Sequence, residues 1–461
     1  LAVSTEKKIH LVGIGGAGMS GIARILKEMG KDITGSDLNS SEVTSRLENL
    51  GITVFTGHSP QHIDRETDLV VFSSAIPDSN PEIVKAFKLG IPVMKRGEML
   101  ACLVNSCRGI AIAGAHGKTT TTSMIAMILE EGGLDPSFII GGELQESSLG
   151  AKLGTSDYFV AEADESDASF LQLHPYVAVV TNVEDDHLDF YRSIDRLNDA
   201  FRQFVSQVKT GGFAILCHDD PFLLKLKDQF GHLIYYGSSP DADYYFKDLS
   251  TNGRGSSFAV YRHDTCLGTL ELSIPGLHNV MNALAAVAVG SELGIPFAAM
   301  KQTLQRFKGA KRRLQLLGEV GGIVIIDDYA HHPTEIAATI NAVRQFHDGR
   351  LTVVFQPHRY SRTRLLGEQF GGAFKGVDLL IVTDIYSAGE EAIPGIDGNI
   401  ICQSALKHGC TAHYMPQNDE IIEYLLKESR PGDVILFMGA GDIWKTGEKM
   451  KKLLEGFHPS A

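Results

Sequence analysis

Three observations predict an α/β protein of three domains. Apolar strands alternate with helical stretches from Lys7 onward, two strand-to-helix junctions carry glycine-rich turns, and the alternation restarts around Leu316 to Gly322. The predicted order is an N-terminal Rossmann-like domain over 1–107, a central P-loop ATPase-like domain over 108–317 and a C-terminal Rossmann-like domain over 318–461. A chain of 461 residues exceeds one ordinary core, and no repeat or low-complexity linker interrupts it.

Composition narrows the function classes. With 43% hydrophobic and 21% charged residues the chain reads as soluble and globular, and its net charge of -14 argues against a general nucleic-acid or membrane binder. No apolar run approaches the roughly 20 residues of a membrane span, and no basic segment precedes a signal-type core, so a cytoplasmic location is expected. Leu1 implies a trimmed or altered start. The six cysteines form no CxxC pair, which predicts neither a zinc site nor a disulfide framework.

In the first domain, KKIHLVGI leads into Gly13-Ile14-Gly15-Gly16-Ala17-Gly18 and a helix reaching Met29. This is a full GxGxxG, and Asp37 ends the next strand about 20 residues on, where a dinucleotide ribose is held. An NAD-binding domain is the direct reading, although any diphosphate, a UDP-sugar's included, can use the same turn and helix terminus. Ser73, Ser74 and Arg96 follow later strands and so fall on the carboxyl edge of the sheet, where ligands of open α/β sheets bind. The alternatives are local backbone capping by the serines and a solvated charge at Arg96.

The central domain opens with the stretch around which the chain is organised. Gly109 to Ala113 reads as a strand, Gly114-Ala115-His116-Gly117 as a turn, and a helix opens at Lys118 and Thr119. Unpaired N–H groups and a helix dipole then face a polyphosphate, Lys118 reaches its terminal phosphates, and the Thr119 hydroxyl suits magnesium. Ile112 stands where the longer P-loop rule has glycine, so the loop is the shorter GxxGKT form. Thr119 to Thr122 support a functional first turn, because β-branched residues are mediocre helix formers. Tyr158 to Ala161 then lead to Glu162, Asp164, Glu165 and Asp167, with Glu162 the preferred metal ligand. Val177 to Val180 lead to Asn182, Glu184, Asp185, Asp186, His187 and Asp189, among which His187 is the candidate functional histidine.

Tyr244 to Ser273 reads as short antiparallel strands with Asn-Gly and Arg-Gly turns. The helix after Pro275-Gly276 carries His278, Asn279 and Asn282 near its start, suited to a base or ribose, with N-capping a local alternative for Asn279. Lys311, Arg312 and Arg313 form the basic patch that an acidic ATP user requires. The third domain repeats strand-then-polar phrases carrying Asp327, Asp328, Tyr329, His331 and His332, then His358, Arg359 and Arg362, then Glu390. Gly439-Ala440-Gly441 opens the last helix and reads as a tight turn or as an anion nest, with the turn preferred.

An ATP site, acidic metal ligands, a second diphosphate turn and an Arg/His pocket for a small carboxylate suit activation of a carboxylate followed by amine attack. In this order along the chain, GIGGAGMSGIA, GAHGKTTTTSM, EADESD, TNVEDDHLD, GLHNVMNALAA, DDYAHHPTE and PHRYSRTR closely resemble the motifs of the Mur ligases of peptidoglycan synthesis. The resemblance implies ATP-dependent joining of L-alanine to the carboxylate of UDP-N-acetylmuramate through an acyl phosphate, with Mg2+ or Mn2+, as a monomer or homodimer and without nucleic-acid or membrane partners. It implies that Gly15, Gly16, Ala17, Gly18, Asp37, Ser73, Ser74 and Arg96 hold the UDP-sugar rather than NAD.

By the same resemblance, ATP meets Gly114, Ala115, His116, Gly117, Lys118, Thr119, Thr120, His278, Asn279, Asn282, Arg313 and Asp328. Tyr329, His331, Arg359 and Arg362 form the L-alanine pocket. Thr119, Glu162 and His187 hold metal, and Lys118, His187 and Arg313 are catalytic. Closure of the third domain would deliver the alanine. Several Mur ligases carry a carbamylated lysine after the DH loop, whereas Arg202 occupies that region here, in agreement with the alanine-adding branch. PHRYSRTR likewise resembles the alanine-adding form rather than the murein peptide ligase, which joins a recycled tripeptide to the same nucleotide.

Overall fold

The computed structural model describes residues 5–142, 150–185 and 187–457; Leu1, Asp186 and the side chain of Asp189 lie outside it. Three sheets organise the chain, each with helices between its strands. The first contains β1 (Lys8–Val12), β2 (Asp32–Asp37), β3 (Thr53–Thr56), β4 (Leu69–Phe72) and β5 (Val93–Lys95) in the order β3-β2-β1-β4-β5. Every pairing is parallel, as crossover helices require. Those helices are α1 (Ala17–Glu28), α2 (Glu42–Asn49), α3 (Pro81–Leu89) and α4 (Arg96–Asn105).

Local chemistry sets these helix ends. Ser41 and Thr44 form a capping box on α2, while Asn80 caps α3 above Pro81 at its first turn. α3 stops at Gly90, whose φ of 72° is left-handed. The buried face of α1 presents Met19, Ile22, Ile25 and Leu26, the spacing of a one-sided helix.

The second sheet has the order β15-β14-β13-β12-β11-β10-β6-β9-β7-β8. Its strands are β6 (Arg108–Ala113), β7 (Ser137–Ile139), β8 (Ala151–Lys152), β9 (Tyr158–Glu162), β10 (Val177–Val180), β11 (Phe213–Cys217), β12 (Leu233–Gly237), β13 (Tyr244–Asn252), β14 (Gly255–Arg262) and β15 (Thr265–Leu272). Helices α5 (Lys118–Glu131), α6 (Leu188–Tyr191), α7 (Ile194–Ser206), α8 (Pro221–Leu224), α9 (Leu277–Glu292) and α10 (Phe297–Arg306) accompany it. β6 runs parallel to both β9 and β10, so the glycine turn after it emerges between the ends of two strands that are followed by acidic loops. The ribbon differs from expectation at one turn. Gly253, with φ 57°, forms the first reversal, but Gly255 already belongs to β14, and the second reversal falls at His263-Asp264, with His263 at φ 48°. A short polar pair takes the place of a glycine turn because histidine and aspartate tolerate the left-handed region better than bulkier residues.

The third sheet orders β16 (Gln315–Val320), β17 (Ile323–Asp328), β18 (Leu351–Phe355), β19 (Leu379–Val382), β20 (Ala412–Tyr414) and β21 (Val434–Met438) as β16-β17-β21-β18-β19-β20. Only β16 is antiparallel to its neighbour. Helices α11 (Pro333–Arg344), α12 (Tyr360–Ala373), α13 (Asn399–Lys407), α14 (Asn418–Glu428) and α15 (Trp444–Phe457) supply two apolar layers, one around Phe355, Phe370 and Phe374 and the other around Ile421, Phe437 and Met450. Strands buried on both faces explain why β21 reads as an unbroken apolar run and β18 as one interrupted only by Thr352. By internal contact the chain divides into two compact units. One comprises 1–248, 258–270 and 281–307; the other comprises 249–257, 271–280 and 308–461.

Beneath the carboxyl edge of the first sheet, Glu82 is fully buried with His10, His58 and His62 around it. Ser36 Oγ donates to Glu82 Oε2 at 2.6 Å, and the His58 and His62 Nδ1 atoms reach the same carboxylate. Burial opposes its ionisation, but the His10, Ser36 and His62 contacts outweigh that and hold the group at about 2 instead of 4.5. A depressed carboxyl stabilises the fold above its ordinary value and loses that contribution as pH falls through the depressed one. Urea unfolding should therefore show stability declining between pH 4.5 and about 2, with a shallower decline and lower neutral-pH stability in Glu82→Gln. An unchanged pH slope in that variant would assign the acid transition to other carboxylates.

Candidate active site

The turn after β6 is shaped by glycines that no other residue could replace. Gly114 has φ 132°, and a Cβ there would lie 2.1 Å from Thr181 Oγ1; Gly117 has φ 84°, and a Cβ there would lie 2.5 Å from Asn282 Oδ1. Asn182 clamps the loop from β10, accepting from His116 N at 2.9 Å and donating to His116 O at 3.1 Å. Thr181 Oγ1 also donates to His116 O at 2.6 Å. Lys118, the first residue of α5, bonds to the Gly114 carbonyl and to Glu165 Oε1, the latter at 2.6 Å. Burial works against its charge, and Glu165 outweighs burial, keeping the ammonium above its usual pKa.

Two more carboxylates line the same opening. Glu162 accepts from Gly141 N at 2.6 Å and from Thr119, yet burial pushes its carboxyl above the ordinary value. Asp164 Oδ2 takes Arg96 Nη2 at 2.8 Å, and Arg96 in turn lies against Gly18 of the first glycine turn. Asp37 holds that turn by accepting from Gly15 N at 2.9 Å. A cavity of about 340 Å³ is lined together by Gly16, Ala17, Gly18, Ser73, Ser74, Arg96, Lys118, Glu162 and Asp164, so the first glycine turn and the lysine that follows the second share one space. His187, at φ 61°, approaches Glu165 Oε1 at 3.9 Å.

In the unit built on the third sheet, Arg313 sits between two residues with left-handed backbone, Arg312 at φ 61° and Leu314 at φ 44°. Arg312 pins this turn through Asp327 Oδ2 at 3.1 Å and the carbonyls of Gly439 and Gly441. Arg313 reaches Glu335 Oε1 at 3.2 Å. Beside it Tyr329, His331, His358 and Tyr386 pack ring to ring, with centroids 5.5 to 5.7 Å apart between successive rings. Burial, then the charges of His331, Arg362 and Arg359, push His358 down to about 3, so its Nδ1 accepts from Arg362 Nη1 at 3.4 Å as a neutral ring. Arg359 opens α12 at φ 72° and is exposed.

The three Mur ligase family models match successive parts of the chain: the catalytic domain of the Mur ligase family at residues 8–108, the Mur ligase middle domain at 112–290 and the glutamate ligase domain at 312–441. The chain belongs to the Mur ligase family. A UDP-N-acetylmuramate--L-alanine ligase of Syntrophomonas wolfei is 53% identical over 458 residues, covering 98% of each chain. Among solved structures, the UDP-N-acetylmuramate-alanine ligase of Thermotoga maritima superposes with a TM-score of 0.84 at 29% identity, covering 98% of this chain and 99% of that one. A murein peptide ligase of Psychrobacter arcticus superposes with a TM-score of 0.71 at 26% identity, covering 97% and 98%.

In this Mur ligase several expected site residues are internally committed. Asp328 is buried, with one oxygen accepting from Leu314 N at 2.7 Å and the other from Ala330 N at 2.8 Å. Asn282 accepts from Thr121 Oγ1 at 3.2 Å beside Gly117, and Asn279 donates to Pro275 O at 2.6 Å from inside α9, so it is not the N-cap. Of the threonine run, Thr120 to Thr122 are buried and Thr119 is half-buried, so packing gives a second reason for the run. Arg96 is paired and not a solvated charge, while Ser73 Oγ accepts from Ala75 N at 3.4 Å, a local turn bond. Glu390 is held by Ser361.

The partners Glu165, Asp164, Asn182 and Asp220 escaped individual assignment. Asp220 accepts from Val183 N at 2.7 Å and so anchors the loop before His187. Acidic residues at a strand end signalled the first two; nothing local signalled Asp220. Replacing Gly114 by alanine should lower the urea midpoint by the equivalent of about 2 kcal/mol or more and abolish polyphosphate binding measured by calorimetry. Wild-type values for both would mean that the turn can relax around a methyl group.

Proposed function

We propose that this Mur ligase joins L-alanine to the carboxylate of UDP-N-acetylmuramate at the expense of ATP. The observation that carries the reading is a cavity lined both by the fingerprint turn with Arg96 and by Lys118 of the phosphate loop, because the two anionic reactants must meet. The similarity over nearly the whole length to relatives named for this reaction supports it. Residues 1–107 are assigned to the UDP-sugar, 108–317 to ATP and 318–461 to the amino acid.

The muramoyl carboxylate oxygen attacks the γ-phosphorus of ATP, giving an acyl phosphate and ADP. The alanine amine, once deprotonated, adds to the acyl carbon, and the tetrahedral intermediate collapses with loss of inorganic phosphate. Gly15 to Gly18, Asp37, Ser73, Ser74 and Arg96 hold the nucleotide sugar. Lys118 and Arg313 neutralise phosphate charge as it builds. His278, Asn279 and Asn282 serve the base, and Asp328 the ribose end, acting through the turn that its carboxylate orders. Tyr329, His331, Arg359 and Arg362 take the alanine, whose carboxylate suits exposed Arg359.

Thr119 hydroxyl, Glu162 carboxylate and His187 imidazole form a donor set suited to Mg2+ or Mn2+. The raised pKa of Glu162 and an unpartnered, buried Glu165 Oε2 fit a site that gains from a cation. When bound, the ion supplies charge neutralisation at the triphosphate.

Phosphate release from ATP and magnesium, with each substrate omitted in turn and the nucleotide product weighed by mass spectrometry, tests the reading. Release that needs both substrates, with a product heavier by one alanine residue, is expected. Release that ignores alanine and responds to the L-alanyl-γ-D-glutamyl-meso-diaminopimelate tripeptide would instead place the chain with the murein peptide ligases. Lys118→Ala should abolish turnover while leaving nucleotide-sugar binding intact. Arg359→Ala should chiefly raise the KM for alanine, by about tenfold or more for a lost charge-assisted contact; unchanged alanine kinetics would remove Arg359 from the pocket.

A further inference from the structure

Glu335 lies in the first turn of α11, where the helix dipole favours a carboxylate, and it is 9% exposed. At this position a glutamate ordinarily reaches back to the N-cap residue, which here is His332. Its two oxygens are divided. Oε1 meets Arg313 Nη1 at 3.2 Å, and Oε2 accepts from the backbone N of His331 at 3.0 Å and lies 3.3 Å from His331 Nδ1. His331 Nδ1 is also 3.0 Å from the Tyr329 carbonyl. With acceptor oxygens on both sides, Nδ1 carries the proton and the ring is held in one orientation.

We infer that Glu335 is a positioning residue that sets Arg313 and His331 together, so that one buried carboxylate governs both the contact to the ATP phosphates and the shape of the amino-acid pocket. This rests on the roles proposed above for Arg313 and His331. The Arg313 guanidinium lies between the Glu335 carboxylate and the Tyr329 ring, whose centroid is 5.4 Å away, and of the two only Glu335 bonds it directionally. Without the carboxylate, Arg313 loses its ion pair, and His331 loses one of the two acceptors at Nδ1 and the acceptor that holds its backbone N–H. Neither change touches the residues proposed for the nucleotide sugar.

Steady-state kinetics with each substrate varied in turn tests the inference. Glu335→Gln should raise the KM for ATP and for L-alanine by about tenfold each while the KM for UDP-N-acetylmuramate stays within about twofold, and Glu335→Asp should recover part of both losses. Wild-type KM values for ATP and alanine in Glu335→Gln, or a uniform loss of kcat with all KM values unchanged, would overturn it; so would an equal rise in all three. The reading on which it depends is checked separately by Arg313→Ala and His331→Ala. If those leave the ATP and alanine parameters unaltered, the assignment of the two residues fails, whatever Glu335 does.

Discussion

The turn between β6 and α5 must leave backbone N–H groups and one lysine facing an anion while it is wedged between two strand ends rich in carboxylates. The strand order creates this conflict, since β6 lies between β9 and β10. It is resolved by close approach. Gly114 and Gly117 have no Cβ to collide with Thr181 and Asn282, and the Asn182 amide holds the turn through the His116 backbone. Around this point the rest of the unit is arranged: Glu162 and Asp164 follow from β9, and the loop toward His187 follows from β10 and is anchored at Val183 by Asp220.

Electrostatics repeats one device across the molecule. Arg96 meets Asp164, Lys118 meets Glu165, Arg312 meets Asp327 and Arg313 meets Glu335. A chain with a net charge of -14 has carboxylates to spare, and a partly buried cation needs a counter-charge when no substrate is present. The pairs differ in what they permit. Arg312 and Lys118 each also donate to two carbonyls, which ties them to the framework, and Arg96 and Lys118 both line the cavity beside the first glycine turn.

Much of the fold was legible because its signals are local. Apolar alternation, the Ser41 and Asn80 caps and Pro81 mark elements that the structure contains, and the strand before each glycine turn lies where it was read. The four-threonine argument did not anticipate that Thr120 to Thr122 are buried and that Thr121 bonds to Asn282, and Arg254-Gly255 is not a separate turn because Arg254 completes the Gly253 reversal and Gly255 begins β14. In the candidate site the cations and glycines were legible as residue types, but the commitments of Asp328, Asn279 and Asn282 were not, since each bonds to groups that the fold supplies.

The sequence by itself determined the order of strands, helices and glycine turns, the family to which the chain belongs, and the residue types at the carboxyl edges. These follow from periodicity and turn chemistry that act over a few residues. Only the tertiary structure decided which carboxylate answers which cation: Asp164 and Arg96 are 68 positions apart, Glu165 and Lys118 47, and Glu335 and Arg313 22. Such pairings depend on how sheets and helices bring distant segments together, and no local pattern encodes the choice.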